Sequence, residues 1–468
     1  MAEKVVINPV TRISGFLQIT AYIEKNKIID VKSEGMLFRG FEKMLKGRPP
    51  LDATYFTERI CGICSTAHSV VSAKALENAF NLSVDRNEEM LRGILHGSEF
   101  LQNHLRHFYQ YTLPDFVTGF NVNPVYSVTH NDFRIPKEES QKLIEDYFES
   151  LTYSRKAHEI LAVLGGKAPH NHGIIAGGIT VNITAQKIFQ IKALVTEIRD
   201  FIINKMLEDV FIVAKYYKDY FKIGSGPKNL MSYGLYDNYG PEIYYVSPKA
   251  IINGKEEDLD TAKINENIYS AWYRADKETL NIEDNNWQPD ALKKEGYSWI
   301  KAPRYKGYPV QVGPLARMYI SGEYRQGIST MNRTIARALE AKKISDIMLQ
   351  LLDKLTAKES TDKRYVLPDK AVGYGFNDTT RGALAHYINI EGGQIKNYTI
   401  ITPSTWNLSP KDSNGVRGAV EEALIGTHIE DAKNPVEIGR IVRSFDPCVS
   451  CATHVLSKDF SPIDIRVV

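Results

Sequence analysis

The spacing of hydrophobic and polar side chains predicts a body built mainly of helices. From Asp85, apolar residues recur at helical spacing behind a D-x-x-E capping box formed by Asp85 and Glu88. The same periodicity predicts further helices over residues 140–164, 185–217, 333–357 and 416–424. The leucine and aromatic positions of these segments are the predicted core.

Short β-branched runs at the start of the chain predict a small sheet. Residues 5–7 and 28–31 are such runs, and the turn-like pair Asn26-Lys27 precedes the second of them. Residues 276–294, rich in Asp, Glu, Asn and Lys, are predicted to form a surface excursion. The expected fold class is mainly α with small antiparallel β-sheet additions.

A helix is also predicted just before the last cysteines. Asn434 is its expected N-cap and Pro435 lies in its first turn. It should end by residue 445, because Pro447 disfavours a helical conformation at the residue before it. Cys448 would then begin a new turn.

Composition indicates a protein with a large core and no pronounced charge. The chain has 468 residues, of which 43% are hydrophobic and 24% charged, and its net charge is +2. This balance gives no electrostatic reason to expect nucleic-acid binding. No apolar run reaches the length of about 18 residues expected of a transmembrane helix. The N-terminus also lacks the basic and apolar regions of a signal peptide.

The four cysteines form two C-x-x-C pairs, Cys61 with Cys64 and Cys448 with Cys451. Each pair can bind one soft metal ion, and together the pairs would supply four thiolates. Because nearly the whole chain separates them, such a site requires both ends to meet, which favours one interlocked unit over separate domains.

Three other uses of the cysteines fit the sequence less well. The pairs of a structural zinc site usually lie roughly 15–20 residues apart. Disulfides require an oxidising compartment, and nothing here indicates a small secreted scaffold. A thioredoxin-like site requires one such pair in a βαβ context.

The residues around the cysteines resemble those of a known family. R-x-C-G-x-C-x-x-x-H around Cys61 and D-P-C-x-x-C-x-x-H around Cys448 look like motifs of the large subunit of nickel–iron hydrogenases. Further motifs follow in family order: NPVTRI (8–13), FRGFE (38–42), YSW and KAPRY (297–305), GPLAR (313–317), RGAL (381–384) and TPSTWN (402–407). The resemblance covers essentially the whole chain. It implies the fold of that large subunit, with a single domain over residues 1–454.

The resemblance also implies a metal centre. All four cysteines would bind nickel, with Cys64 and Cys451 bridging to an iron that carries cyanide and carbon monoxide. Cys61 and Cys448 would be terminal ligands. Heterolytic cleavage of H2 requires an electron-poor metal for the hydride and a nearby base for the proton, and thiolates suit both needs. Cys448 is the natural first proton acceptor.

Several flanking residues have implied roles around that centre. His68 resembles the family histidine that donates a hydrogen bond to a bridging thiolate; a helix-surface histidine is the alternative. Arg381 resembles the arginine held over the open metal face, and Asp446 would pair with and orient it. Pro403 and Ser404 match positions that contact an iron-bound cyanide, with Ser404 as donor; a local turn is the alternative.

The end of the chain resembles an unprocessed precursor. In this family the histidine three residues after the last cysteine, here His454, becomes the C-terminus after a nickel-dependent endopeptidase removes the rest. Residues 455–468 are therefore the predicted maturation peptide. In the cleaved form His454, Glu42 and the carbonyl oxygen of Ile400 would bind magnesium or iron.

Three positions depart from the usual family pattern. Ser14 replaces a glutamate that takes the proton from the terminal thiolate, Asn103 replaces an aspartate, and Thr379-Thr380 replaces Ala-Pro. A serine hydroxyl can relay a proton but cannot store one near neutral pH. We therefore expect a slower enzyme or a different proton route.

The predicted metal centre uses every cysteine of the chain. Because iron–sulfur clusters are usually held by cysteine thiolates, a separate iron–sulfur small subunit is implied, in a heterodimer. The expected function is that of the catalytic subunit for reversible H2 cleavage. The alternative is an H2-sensing regulatory hydrogenase of low turnover. A degenerate structural relative would be expected to have lost cysteines. The sequence does not decide the localisation. The subunit could stay in the cytoplasm, or its partner could attach it to a membrane or carry it across one.

Overall fold

The computed structural model describes residues 2–120, 130–283, 286–360 and 365–452. Of residues 451 and 452 it describes the backbone alone. Its helices are α1 (Phe41–Met44), α2 (Asp52–Glu58), α3 (Ser65–Phe80), α4 (Arg86–Arg106), α5 (Lys137–Gly165), α6 (Ala185–Phe201), α7 (Leu207–Tyr216), α8 (Pro314–Ile320), α9 (Thr330–Lys354), α10 (Pro403–Asn407), α11 (Ala419–Leu424), α12 (Val436–Ser444) and α13 (Val449–Ala452). The mainly α prediction is confirmed.

The strands are short and form small antiparallel sheets. They are β1 (Glu3–Ile7), β2 (Leu17–Glu24), β3 (Lys27–Gly35), β4 (Ile174–Ile175), β5 (Gly178–Ile179), β6 (Leu230–Ser232), β7 (Lys249–Ile252), β8 (Lys255–Asp258), β9 (Ile264–Asn267), β10 (Tyr273–Arg274), β11 (Thr279–Asn281), β12 (Gln288–Pro289), β13 (Ala302–Tyr305), β14 (Lys370–Thr379), β15 (Gly382–Glu391) and β16 (Gln394–Ile401). The sheets with three strands have the orders β1-β2-β3, β6-β7-β8, β11-β9-β13 and β14-β15-β16.

The long helices enclose the largest hydrophobic cluster. The side chain of Asp85 accepts a hydrogen bond from the backbone N–H of Asn87, so α4 begins at the predicted cap. Its predicted apolar stripe is buried at every position: Leu91, Ile94, Leu95, Leu101, Leu105 and Phe108. The helix predicted over 185–217 is also present, as α6 and α7 joined by a π-helical segment (Ile202–Met206). No helix in the described ranges is long and apolar enough to cross a membrane.

Two helix starts were predicted wrongly, and in both cases the residue expected at the start makes a local hydrogen bond with an aspartate. The N–H of Val416 donates to Asp412 Oδ1 (3.1 Å), and α11 begins only at Ala419. The α12 helix has Pro435 as its N-cap, while the predicted cap Asn434 donates to Asp431 Oδ2 (3.0 Å). Its predicted end is confirmed, since the C-cap is residue 445.

The predicted surface excursion over 276–294 is wrong in part. Leu280 and Trp287 are each 2% exposed. The Trp287 ring packs edge-on against Phe38 and Tyr273. Leu280 and Trp287 therefore join the core, although polar residues surround them in the sequence, whereas Leu292 is 86% exposed as predicted for this stretch.

The sequence did not reveal the β14-β15-β16 sheet, which carries part of the site. Arg381 lies in the turn between β14 and β15. Gly375 of β14 lies so close to α3 that a Cβ atom there would be 2.1 Å from the carbonyl oxygen of Val71. The sheet is thereby packed directly on the helix that follows the first cysteine pair.

Candidate metal centre

The structure brings three of the four predicted metal ligands together. The sulfur atoms of Cys61, Cys64 and Cys448 all lie within 4.8 Å of one another, and all three residues are buried. The sulfurs of Cys61 and Cys448 are 3.3 Å apart, longer than a disulfide bond. Cys451 lies in α13, but its side chain is outside the described part of the structure.

Local structure fixes the first pair at the start of a helix. Cys61 and Cys64 lie in the connection between α2 and α3, and Cys64 is the N-cap of α3. The backbone N–H groups of Thr66 and Ala67, in the first turn, donate to the carboxylate of Glu99 at 2.7 and 3.1 Å. Glu99 of α4 thus holds the helix start that positions Cys64.

The N-terminal segment holds the second pair. The N–H of Ser14 donates to the carbonyl oxygen of Pro447 (3.1 Å), and the N–H of Val449 donates to that of Ser14 (2.7 Å). Gly15 has φ +92°, and a Cβ atom there would lie 2.5 Å from the backbone nitrogen of Ser450. Residues far apart in sequence are therefore in direct backbone contact around Cys448.

The donor set suits a soft transition metal. Three buried sulfurs at this spacing would repel one another as thiolates in the absence of a cation, and thiolates select metals such as nickel and iron. Burial also excludes water from the sulfurs. The cysteines thus fit the nickel-containing centre that the sequence predicts.

Arg381 and Asp446 form the predicted pair, and Asn103 bridges them. Arg381 Nη2 lies 3.0 Å from Asp446 Oδ1, and Arg381 Nε donates to the backbone oxygen of Asp446 (3.0 Å). Asn103 donates from Nδ2 to Asp446 Oδ2 and accepts from Arg381 Nη2, both at 2.8 Å. The departure at position 103 is thus part of the buried network, as a neutral cross-link between two charges.

Both charges are stabilised although they are buried. Burial opposes the charge of Arg381, but Asp446 and the sulfurs of the three described cysteines outweigh it and raise the pKa of the guanidinium above its usual value. Burial alone would raise the pKa of the Asp446 carboxyl, but Arg381, His107 and Arg337 hold it below its usual range. A fixed cation therefore lies beside the sulfurs at every physiological pH.

His68 is buried, so it is not the helix-surface histidine considered above. Its Nδ1 lies 3.1 Å from Nε2 of His386. Burial lowers the pKa of His68 to about 4. The ring is neutral near pH 7 and carries one N–H.

Pro403 and Ser404 begin α10, beside the second cysteine pair. Both residues are buried, and Thr402 is the N-cap of the helix. Ser404 Oγ accepts a hydrogen bond from the backbone N–H of Cys448 (2.9 Å). A hydroxyl that accepts on one side can still donate on another.

Glu42 lines a separate small cavity of about 40 Å³. Its Oε1 accepts from the N–H of Ile400 (2.8 Å), and its Oε2 lies 3.3 Å from Lys301 Nζ. Glu266 also pairs with Lys301 (2.7 Å), and its other oxygen, Oε1, is buried without a hydrogen-bond partner. Two carboxylates around one ammonium, with one oxygen unpartnered, suit a hard cation or its bound water. His454 lies outside the described residues.

The structure adds residues that sequence reasoning missed. His386 and Tyr398 contact each other and extend inward from His68, Glu99 holds the start of α3, and Glu266 joins Glu42. A histidine directly after the apolar run 382–385 of β15 was the available signal for His386. The sequence around Glu99 did not indicate its contact with the start of α3, because the two lie more than 30 residues apart in the chain.

Comparison with known proteins agrees with this geometry. The sequence model of the nickel-dependent hydrogenase family matches residues 39–125, 119–328 and 321–454. The periplasmic [NiFeSe] hydrogenase large subunit of Desulfomicrobium baculatum is 34% identical, with 97% of this chain and 96% of that protein aligned. The hydrogenase-1 large chain of Escherichia coli is 30% identical, over 98% of this chain and 96% of that one.

Solved structures show the same fold. The [NiFeSe] hydrogenase of D. baculatum superposes with a TM-score of 0.93 at 34% identity, covering 97% of this chain and 100% of that one. The Ni-Fe-Se hydrogenase of D. vulgaris Hildenborough also gives 0.93, at 35% identity and with the same coverage. The chain belongs to the nickel-dependent hydrogenase family. It is a nickel–iron hydrogenase large subunit, and hence an oxidoreductase acting on H2 with a nickel-containing site.

Proposed function

We propose that this subunit cleaves H2 heterolytically and reversibly and passes the electrons to an iron–sulfur small subunit. The observation that carries the proposal is the cluster of three buried cysteine sulfurs beside the fixed guanidinium of Arg381. An apolar gas needs a dry site, and heterolysis needs a base next to the metal. Both requirements are met by residues of this chain.

Cys61, Cys64, Cys448 and Cys451 would hold a nickel–iron centre with cyanide and carbon monoxide on the iron. When bound, that centre supplies the electron-poor acceptor for the hydride. The sulfur of Cys448 is the proposed first proton acceptor. Arg381 keeps its positive charge beside that sulfur, and Asp446 fixes its direction through the two contacts at 3.0 Å.

The proposed proton route is where this chain departs from its family. Ser14 reaches the loop of Cys448 through its backbone, and its hydroxyl oxygen lies 3.5 Å from Ser450 Oγ. Neither hydroxyl can store a proton near neutral pH. We therefore infer slow proton release from Cys448, or release through ordered water.

Electrons are proposed to leave through a partner that contains iron–sulfur clusters. The relatives are named large subunits, which implies a small subunit, and the metal centre would leave this chain without a cysteine for a cluster. The GGKAPHNH motif over 165–172 lies beside the first cysteine pair: the N–H of His170 donates to Ser65 Oγ (3.0 Å). We propose that electrons leave the metal centre across this face.

Processing at the C-terminus is proposed to complete the second metal site. Removal of residues 455–468 by a nickel-dependent endopeptidase would leave His454 as the last residue. His454 could then bind magnesium or iron together with Glu42 and the carbonyl oxygen of Ile400. The unpartnered oxygen of Glu266 in the same cavity supports a cation there. Mass spectrometry of the purified subunit should give the mass of residues 1–454.

Hydrogen uptake with an artificial electron acceptor tests the proposed activity. The complex would be purified with its partner after maturation, and Cys448→Ser would be compared with the unaltered chain at equal metal content. Turnover by the unaltered chain and its loss in the variant are expected. Equal turnover would contradict the role of Cys448, and binding of H2 with almost no uptake would favour the sensor.

A further inference from the structure

Two buried arginines, Arg333 and Arg337, lie next to each other on α9. They are four residues apart, a spacing that places two side chains on the same face of a helix. Arg333 is 4% exposed and Arg337 is 2% exposed. Within the described part of the chain, neither guanidinium lies within ion-pair distance of a carboxylate. Buried charges are normally paired, because it is costly to take an ion out of water.

The guanidinium of Arg333 is surrounded by neutral acceptors. It donates twice to Gln311 Oε1 (3.1 and 2.8 Å), once to Ser444 Oγ (3.3 Å), and to the carbonyl oxygens of Gly224 and Ser225 (2.7 Å each). These contacts satisfy all five of its N–H groups but do not balance its charge. Burial and the charge of the neighbouring arginine lower its pKa well below the usual value.

Arg337 is the less satisfied of the two arginines. Its Nη2 donates to the carbonyl oxygen of Ser444 (3.1 Å). Its Nε and Nη1 atoms are buried and have no hydrogen-bond partner among the described residues. Buried N–H groups of a charged side chain are costly to leave without an acceptor.

The carboxylates that act on Arg337 already belong to other arginines. Asp446 and Glu340 both favour its charge. Asp446, however, pairs with Arg381 (3.0 Å), and Glu340 pairs with Arg317 (2.6 Å). No carboxylate of the described residues therefore pairs directly with either arginine of α9.

Both arginines line a cavity of about 10 Å³, which we call the arginine cavity. The rest of its wall includes Gln311, Ser444 and apolar side chains such as Val312 and Phe445. A cavity of this volume holds one water molecule or one ion of similar size.

The donors at the arginine cavity favour an anion over a water molecule. Gln311 Oε1 already accepts two hydrogen bonds and Ser444 Oγ accepts one. Among the described side chains that line the cavity, the polar atoms without a partner are the Nε and Nη1 donors of Arg337. A water molecule would bring two more hydrogens to this wall, whereas an anion accepts from both donors and lies beside two positive charges.

We propose that the arginine cavity binds one chloride ion, with Nε and Nη1 of Arg337 as its donors. Chloride is monatomic and accepts hydrogen bonds from any direction, whereas a phosphate or carboxylate ion needs more room than the cavity offers. The ion would reduce the repulsion between the two guanidinium groups. This inference does not rest on the proposed function.

Anomalous diffraction from crystals of the matured complex, grown in sodium chloride, tests the site directly. At a long X-ray wavelength chloride has a measurable anomalous signal and water has none. A peak is expected within hydrogen-bond distance of Nε and Nη1 of Arg337. This measurement uses the unaltered chain, so it does not depend on whether a variant folds.

Thermal unfolding gives a second readout in solution. At constant ionic strength, chloride in place of gluconate should raise the Tm of the unaltered complex relative to that of Arg337→Gln. The difference should be about 1 °C for each tenfold rise in chloride above its Kd. Arg304→Gln is the matched control, because Arg304 is also 2% exposed but pairs with Asp412 (2.8 Å). This control should respond to chloride as the unaltered complex does.

Two results would overturn the inference. One is an anomalous map without a peak at Arg337, and the other is an equal response to chloride in Arg337→Gln and in the unaltered complex. Infrared spectra of the same samples test the proposed function separately. Absence of the bands of iron-bound carbon monoxide and cyanide would contradict the proposed metal centre and leave the chloride site unaffected.

Discussion

Replacement of Asn103 by alanine should show how strongly the charges at the site depend on their neutral bridge. Asn103 makes one hydrogen bond to the carboxylate of Asp446 and one to the guanidinium of Arg381, both 2.8 Å long. A hydrogen bond to a charged group contributes about 1.5–3 kcal/mol, so the two together contribute about 3–6 kcal/mol. Because water can enter the vacated space, we expect Asn103→Ala to cost about 3 kcal/mol.

The assay is thermal unfolding of the matured complex. The unfolding entropy of a chain of this length is roughly 1 kcal/mol per degree, at about 2.1 cal/mol/K per residue, so Tm should fall by about 3 °C. Asn87→Ala is the matched control. Asn87 lies in the same helix and its side chain also makes hydrogen bonds, but all of them are to neutral groups of Thr356: two to its backbone (3.1 Å each) and one from its hydroxyl (3.4 Å). It should cost about 1–2 kcal/mol.

The comparison of the two variants is decisive. A loss of Tm in Asn103→Ala no greater than in Asn87→Ala would refute the reasoning that Asn103 stabilises two buried charges. A larger loss, with the infrared bands also altered, would support it.

Three further predictions concern the N-terminal contact and the acid limit. Ser14→Glu should raise hydrogen uptake, because a carboxylate can store the proton leaving Cys448; no gain in turnover would count against Ser14 as the bottleneck. Gly15→Ala should lower nickel content at equal expression, since its Cβ would lie 2.5 Å from the backbone of Ser450; unchanged metal analysis would contradict this. Burial alone would raise the pKa of Asp115, but Arg12 and Arg443 lower it from 3.8 to about 2. Its stabilisation of about 2 kcal/mol is therefore present above pH 4 and lost as the pH falls to 2. In Asp115→Asn that part of the acid dependence of Tm should be absent.

Periodicity predicted the long helices because their apolar stripes follow helical spacing. It failed for β15, whose residues are buried on both faces and show no alternation of apolar and polar side chains. In the N-terminal sheet, the two predicted strands do not pair with each other. Both pair with β2, which the sequence reading did not include.

The cysteines of the candidate metal centre could be singled out because their signal is local. Each C-x-x-C pair and its characteristic neighbours lie within about ten residues of one another. The pairing of Arg381 with Asp446 was inferred from the family motifs. The contacts around the ligands were not predictable in the same way. His68 meets His386 across 318 positions, and no spacing rule links them. The three-dimensional fold was needed to find them.

The central claim is that the cysteines of this chain hold a nickel–iron centre. Metal analysis combined with infrared spectroscopy of the complex, purified with its partner and maturation proteins, tests it most directly. The account predicts one nickel per chain together with bands of iron-bound carbon monoxide and cyanide. Zinc alone, without such bands in a matured sample, would contradict it and leave the cysteines as a structural metal site.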